Sequence, residues 1–194
     1  MEKYYFDEGQ PRLTVGDGVV LLLINGKEET EISGGMPGEN GLATTEAVER
    51  KVWVYDGVRL ETGGMTSEAA LTAAAQKMVL AEIEKHDTSS AVNGFVLNGQ
   101  KVWLDKATRV GLMNSTTIAK AMGQPTTTLW LRDAKLVVEC DKAIQLLSAL
   151  EMYALECFNV TAAHKKAVAE MSTVEDVLGY DYTAGYPEML TMNV

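Results

Sequence analysis

Short apolar runs separated by turn residues fill the first third of the chain, and they predict strands and tight turns over residues 1–63. The clearest apolar run covers residues 19–24, and Asn25-Gly26 follows it. Both positions of that dipeptide tolerate positive φ, so they predict a two-residue hairpin. Asp56-Gly57 predicts a second hairpin in the same way.

A connecting helix is predicted over residues 64–87, with Thr66 or Ser67 as its N-cap and an end near His86. This segment is rich in Ala, which favours helix but has little side chain to bury. It could form a neck between two domains, or one strand of a small oligomeric bundle. It could also lie on the C-terminal domain, and we favour this last placement.

Over residues 88–171 the pattern predicts a hairpin followed by a helix, and then a second hairpin followed by a second helix. Strand-like residues at 95–104 surround a turn, and Asp105 caps a helix that stops before Gly123. A second hairpin is predicted over residues 127–139, and Asp141 is the predicted N-cap of the next helix. Residues 88–194 therefore form a predicted mixed domain with two hairpin–helix units.

The segment 141–171 contains neither Pro nor Gly, and its spacing predicts one long helix with a wide apolar side. The members of that side are Ala143, Ile144, Leu147, Leu150, Ala154, Cys157 and Phe158. Leu146, Tyr153 and Val160 widen the apolar arc to about 220°, with Glu151 as a charged exception inside it. Because packing on one sheet needs a stripe of only about 100°, we expect this helix to contact neighbours on several sides, including another copy of the chain.

The last residues predict one more short element. Ser172 and Glu175 have the spacing of a capping box, and Gly179 ends the short helix that this box would open. Residues 180–194 are expected to lie extended on the domain surface. The predicted fold class is α+β, with a β-rich region at 1–63, the connecting helix at 64–87 and the mixed domain at 88–194.

The net negative charge of the chain argues against some classes of partner. The 194 residues include 17 basic and 27 acidic side chains, for a formal net charge of −10, and no cluster of basic residues is visible. Nucleic-acid backbones and anionic membranes repel such a chain. The longest apolar run is also too short to span a bilayer. We expect neither nucleic acid nor membrane insertion.

Reactive side chains are few and show no catalytic spacing. His86 and His164 are the only histidines, and both are expected to be solvated residues near helix ends. Cys140 and Cys157 are expected to be reduced core residues. No nucleophile motif or metal-ligand cluster occurs, so we expect no catalytic residue, no metal and no cofactor. The expectation is a protein that is not an enzyme.

Three tryptophans, Trp53, Trp103 and Trp130, fall in predicted hairpins. Aromatic residues on strands usually form half-buried cross-strand pairs, although they can also form a stacking platform for a sugar or a base. The candidate interaction surface combines the three tryptophans and Tyr55 with the three residues that widen the apolar arc of the long helix. It comprises Trp53, Tyr55, Trp103, Trp130, Leu146, Tyr153 and Val160.

Three stretches together resemble a known domain family of unknown function. They are residues 91–109 (AVNGFVLNGQKVWLDKATR), 149–165 (ALEMYALECFNVTAAHK) and 172–181 (STVEDVLGYD). The family is found in small phage and prophage proteins, often beside tail-fibre genes, and the resemblance covers about residues 67–190. It brings no catalytic residues. It implies a role in a phage tail or tail fibre.

The leading hypothesis is therefore a structural protein of a phage or prophage tail that attaches to other tail or tail-fibre proteins and self-associates. One alternative is a tail-fibre assembly chaperone whose acidic N-terminal region binds the fibre. Another is a sugar-binding adhesin that uses the tryptophans. Since the first residues lack the apolar core of a signal peptide, the expected location is the tail of the virion, or the bacterial host cytoplasm during assembly.

Overall fold

An antiparallel sheet of four strands forms the N-terminal part of the protein in this computed structural model, which describes residues 2–10, 12–33, 48–131 and 134–193. The strands are β1 (Glu2–Phe6), β2 (Leu13–Gly16), β3 (Val19–Ser33) and β4 (Val48–Glu61). Their spatial order is β1-β4-β3-β2, and every neighbouring pair is antiparallel. The glycine-rich sequence at residues 34–41, which predicts a loop, lies outside the described residues.

Helices alternate with hairpins in the rest of the chain. The elements are α1 (Glu68–Asp87), α2 (Ser90–Asn93), β5 (Gly94–Leu97), β6 (Gln100–Trp103), α3 (Lys106–Ala121), β7 (Thr126–Leu131), β8 (Ala134–Glu139), α4 (Cys140–Glu170), α5 (Val174–Leu178) and β9 (Leu190–Met192). The predicted α+β class, with antiparallel β structure first and a long C-terminal helix, is confirmed.

The chain divides into an N-terminal unit, Met1–Ala75, and a C-terminal unit, Gln76–Val194. The division falls inside α1, so this helix begins in the first unit and ends in the second. Within the C-terminal unit, the Gln76 side chain donates hydrogen bonds to the carbonyls of Val168 and Met171, at 3.1 and 2.9 Å. The second half of α1 therefore belongs to the C-terminal unit, where its Gln76 binds backbone carbonyls at the end of α4.

Both hairpins predicted in the N-terminal region are wrong. Asn25-Gly26 lies inside β3 and Asp56-Gly57 lies inside β4, where the two strands pair with each other. The positive φ of Asn25, 55°, marks an irregularity in this pairing between Ile24 and Lys27, and its side-chain amide donates to Asp56 at 3.0 Å. The turn that joins β2 to β3 is instead Asp17-Gly18, with φ of 50° and 77°.

The glycines of these two dipeptides make room for aromatic rings. A Cβ on Gly26 would lie 2.3 Å from the Tyr55 ring, and a Cβ on Gly57 would lie 2.2 Å from the ring of Tyr4. Each glycine therefore permits a tyrosine on a paired strand to lie flat against the backbone. Local turn propensity is overridden by packing between strands that are distant in sequence.

Replacing Gly57 with Ala is expected to lower the free energy of unfolding by about 1–3 kcal/mol, because the new methyl group overlaps the Tyr4 ring. Gly16→Ala is the matched control, since a Cβ on that strand glycine meets no described atom within 4 Å. Chemical denaturation followed by tyrosine fluorescence measures both variants. Equal stability of the two variants would contradict the packing role of Gly57.

The first hairpin–helix unit is confirmed. Asn98 and Gly99, with φ of 49° and 79°, join β5 to β6. Asp105 caps α3, because its carboxylate accepts a hydrogen bond from the Thr108 amide at 2.8 Å, and Gly123 follows the helix with φ of 78°. The hydrogen bond from the Thr108 hydroxyl is the main reason that the pKa of Asp105 lies below its usual value.

The second hairpin and the single long helix are also confirmed, although the predicted cap is wrong. Glu139 occupies the N-cap position of α4 without a described side-chain capping bond. Asp141 lies in the first turn of the helix, where a carboxylate is favoured by the helix dipole, and it forms an ion pair with Lys120 of α3. The turn between β7 and β8 lies outside the described residues.

The C-terminal core surrounds α4 on a wide arc, as predicted, but the arc is shifted. Leu146 and Tyr153 are buried, Val160 is half-buried, and Phe158 is 60% exposed. The placement of Phe158 on the covered side is therefore wrong. The buried core around α4 comprises Val92, Phe95, Leu97, Val102, Leu104, Leu129, Leu131, Val138, Ala143, Leu146, Leu147, Leu150, Tyr153 and Cys157.

Two corrections apply to the C-terminal end. Thr173, not Ser172, caps α5, because its hydroxyl accepts a hydrogen bond from the Asp176 amide at 3.2 Å. The prediction that residues 180–194 only lie extended on the surface is also corrected, because β9, which belongs to this segment, pairs in parallel with β5. The first hairpin therefore becomes a three-stranded sheet in the order β6-β5-β9.

Candidate interaction site

A groove of about 430 Å³ opens in the C-terminal unit between the end of α1, the β6–α3 junction and the middle of α4. Its lining residues are Asp87, Thr88, Asn93, Trp103, Leu104, Asp105, Lys106, Arg109, Glu151, Ala154, Leu155 and Phe158. All of these residues belong to one unit, so the groove is formed within a single packed domain.

Arg109 is the one charged residue among the buried side chains of the described chain, with 7% of its surface exposed. Its Nε donates to Glu151 at 2.9 Å and its Nη1 donates to the carbonyl of Leu104 at 2.8 Å. This contact joins the first turn of α3 to α4. It also explains why Glu151 interrupts the apolar arc of the long helix. Sequence reasoning missed Arg109, although a carboxylate inside an apolar arc is a signal for a buried cation.

Large apolar side chains form one wall of the groove and continue onto the exposed side of α4. Met152, Leu155 and Phe158 are 58, 48 and 60% exposed, and we call these three residues the α4 ridge. Leu155 and Phe158 line the groove, and Met152 extends the ridge beyond it. Grouped exposed apolar side chains of this size are typical of sites for binding other proteins.

Acidic residues at the groove are engaged in local hydrogen bonds. Asp87 accepts a hydrogen bond from the Thr161 hydroxyl at 2.7 Å, and that hydroxyl also lies 2.9 Å from the Tyr186 hydroxyl. Asp105 is occupied as the cap of α3. Among the described residues, no three His, Cys, Asp or Glu side chains are grouped closely enough to hold a metal ion.

The candidate interaction residues are divided between the two units of the chain. Trp53 and Tyr55 stack at 6.2 Å on β4 in the N-terminal unit, and Tyr55 is buried. Trp103 is half-buried at the groove, and its indole Nε1 is buried without a partner in the described part of the chain. Trp130 lies on the β7–β8 hairpin, 58% exposed, with the Lys135 ammonium 6.0 Å from its ring centre.

The remaining candidate residues belong to the covered side of α4. Leu146 and Tyr153 lie in the C-terminal core, and Val160 is half-buried. The wide apolar arc is thus covered largely by elements of the same chain. Of the seven candidates, Trp103 lines the groove, and sequence reasoning missed the exposed ridge beside it.

Tyr153 and Cys157 meet at one backbone carbonyl. The Tyr153 hydroxyl donates to the Val92 carbonyl at 2.9 Å, and the Cys157 thiol donates to the same oxygen at 3.2 Å. Burial raises the pKa of Tyr153 to about 12, and burial also raises the pKa of the Cys157 thiol. Both cysteines are buried free thiols, as predicted. These contacts connect α2 to the core face of α4.

Alkaline pH is expected to destabilise the wild-type chain more than a Tyr153→Phe variant. Below pH 10 the phenol is neutral in both states, so it adds no pH dependence. Between pH 10 and about 12 the unfolded tyrosine ionises while the buried one does not, so unfolding is favoured by about 2–3 kcal/mol at the upper limit. Denaturation curves at pH 9 and 11.5 test this, and parallel losses in both proteins would contradict it.

The two histidines are more engaged than solvated helix-end residues, so that prediction is wrong. Nε2 of His164 donates to the Ala184 carbonyl at 2.9 Å, and its Nδ1 lies 2.7 Å from the Tyr180 hydroxyl. His86 contacts the Tyr182 and Tyr186 rings edge-on. Both histidines therefore hold the segment between α5 and β9 in place.

Residues 72–184 match the family model described as Domain of unknown function (DUF4376). No curated protein and no solved structure matches the chain. None of the described helices is both long enough and apolar enough to cross a membrane.

Proposed function

This chain belongs to the DUF4376 family, whose model covers more than half of its length, and from the resemblance of its sequence to small phage and prophage proteins we propose a non-enzymatic structural role in a phage or prophage tail. In this role the protein attaches to other tail or tail-fibre proteins and to copies of itself. Its place of action is the virion tail, or the host cytoplasm while tails assemble.

One observation carries the proposal: the stretches that resemble phage and prophage proteins enclose the groove. Of its twelve lining residues, six fall within residues 91–109 and four within residues 149–165. The groove and the α4 ridge are therefore built mainly from the family-like part of the chain. A family whose members share a role would keep that role at such a surface.

The groove has the composition of a protein-binding surface. Exposed Leu155 and Phe158 supply large apolar contact area beside the half-buried ring of Trp103. Interface centres are enriched in such aromatic and aliphatic side chains, and a few of them carry most of the binding energy. The Arg109–Glu151 ion pair fixes the two helices on which these side chains stand. A partner protein would therefore meet a preorganised apolar wall.

Deleting the gene from the phage or lysogen that encodes it tests this role. We expect fewer complete tails in electron micrographs and a lower infectious titre, both restored by the wild-type gene. Complementation with Phe158→Ser should fail, whereas Ile118→Ser, an equally exposed apolar position on α3, should succeed. Normal tails and titre after deletion would contradict the proposal.

Co-expression separates an attached component from an assembly chaperone. A chaperone raises the yield of soluble tail fibre and then leaves, so the finished particle would lack it. An attached component remains in the particle. The tryptophans lie in three different sheets, so no single described sheet presents all three as the sugar platform of the adhesin alternative.

A further inference from the structure

The exposed side of α4 between residues 145 and 163 is depleted of charge in an otherwise acidic chain. Within this fully described span, Glu156 is the one ionisable side chain among the exposed residues. The others are Gln145, Ser148, Ala149, Met152, Leu155, Phe158, Asn159, Ala162 and Ala163. Depletion of charge around large apolar side chains distinguishes the centre of an interface from ordinary surface.

Four exposed residues on this side are arranged symmetrically about Leu155. Ser148 and Ala162 each lie seven residues away from it, on nearly the same line along the helix. Met152 and Phe158 each lie three residues away, at about 60° to either side of that line. These five residues therefore place large side chains at the centre and small ones at both ends, over a length of about 21 Å.

We propose that two copies of this chain pair through this face, with their α4 helices antiparallel and a two-fold axis beside Leu155. In a two-fold interface each copy contributes the same patch. A patch whose apolar side chains lie at equal distances on either side of its centre therefore sets apolar side chains against apolar side chains. Leu155 then meets the partner's Leu155, and Met152 lies level with the partner's Phe158. The large side chains at the centre set the distance between the two helices, and small residues lie at both ends of the contact.

Charge favours a second copy over a basic partner as the occupant. A basic protein would be recognised by carboxylates, and this face offers only Glu156 among its exposed residues. Two chains of net charge −10 repel each other at long range, so added salt should strengthen their pairing. Binding of a basic partner would weaken with salt. The inference rests on the proposed function in taking the α4 ridge as an attachment surface.

Sedimentation equilibrium of the purified full chain tests the pairing. We expect twice the mass of one chain, with an association that tightens as salt rises. Leu155→Glu should give the mass of a single chain, because it places two carboxylates at the axis. The matched control is Ile118→Glu, which changes an exposed apolar residue on α3 and should leave the double mass unchanged. A single-chain mass for the wild-type protein at every concentration would overturn the proposal.

Oxidative cross-linking tests the geometry even where a variant weakens folding. Cysteines introduced as Leu155→Cys should form a disulfide between copies, since the two positions face each other at the axis. Ser148→Cys should not, because its two copies lie about 21 Å apart along the helix axis. The native thiols are buried and do not interfere. Equal cross-linking at both positions would exclude the antiparallel pair.

Particle composition distinguishes failure of self-pairing from failure of the tail role. A monomeric wild-type chain that enters particles, and whose Leu155→Glu variant does not, would refute self-pairing and leave the tail role intact. A dimer that is absent from particles and unnecessary for tails would support self-pairing and refute the tail role.

Discussion

Replacing Glu151 with Leu is expected to lower the free energy of unfolding by about 3 kcal/mol, because Arg109 would keep a buried charge without a carboxylate. The reverse change, Arg109→Met, should cost less. Glu151 is 35% exposed, so water can hydrate its carboxylate once the guanidinium has gone. The asymmetry between the two single variants follows from the difference in burial of the two partners.

The double variant Arg109→Met with Glu151→Leu serves as the control. It removes both charges, so it should be more stable than Glu151→Leu alone. Denaturant titration of the four proteins gives the coupling energy directly. A double variant whose loss is the sum of both single losses would show that the ion pair does not join α3 to α4. Equal losses for the two single variants would contradict the effect expected from the different burial of the two partners.

Replacing Phe95 with Ala is expected to have the largest effect on stability, with a loss of about 3–5 kcal/mol. Phe95 is completely buried on β5, the central strand of the three-stranded sheet, and it belongs to the core around α4. Truncation removes apolar contact area and leaves a cavity that the surrounding strands and helix cannot fill. Denaturant titration, or the thermal unfolding midpoint, measures the loss.

Val96→Ala is the matched control for that prediction. Val96 is the next residue along β5, but its side chain points to the opposite face and is only half-buried. We expect a loss of about 1 kcal/mol or less. Comparable losses at the two positions would mean that the sheet face assigned to the core is wrong.

The sequence allowed prediction of the C-terminal elements because their signals are local. Asn98 and Gly99 can both adopt positive φ at little cost, and Asp105 has a free helix amide within reach, so turn and cap are encoded by neighbouring residues. In the N-terminal sheet, by contrast, contacts between distant residues override the local signals. Asn25-Gly26 has the same local signal as the true turn, yet it lies within a strand because Tyr55, on the paired strand β4, packs over the glycine.

The exposed surface of α4 was harder to predict for a related reason. Helical periodicity tells which side chains of α4 share a side, but not how far neighbouring elements cover that side. Leu146 and Tyr153 are covered by the hairpins and α2, whereas Phe158 projects beside the groove. The parallel pairing of β9 with β5 is also set by contacts between distant segments, and no pattern within residues 180–194 indicates it.

Mass spectrometry of purified particles tests the central claim most directly. The protein should be present in mature particles of the wild-type phage or induced prophage, at a constant ratio to other tail proteins across independent preparations. The deletion strain should yield particles without its peptides, as the background control. Mature wild-type particles that contain every other tail protein but none of this chain would contradict a structural role in the tail.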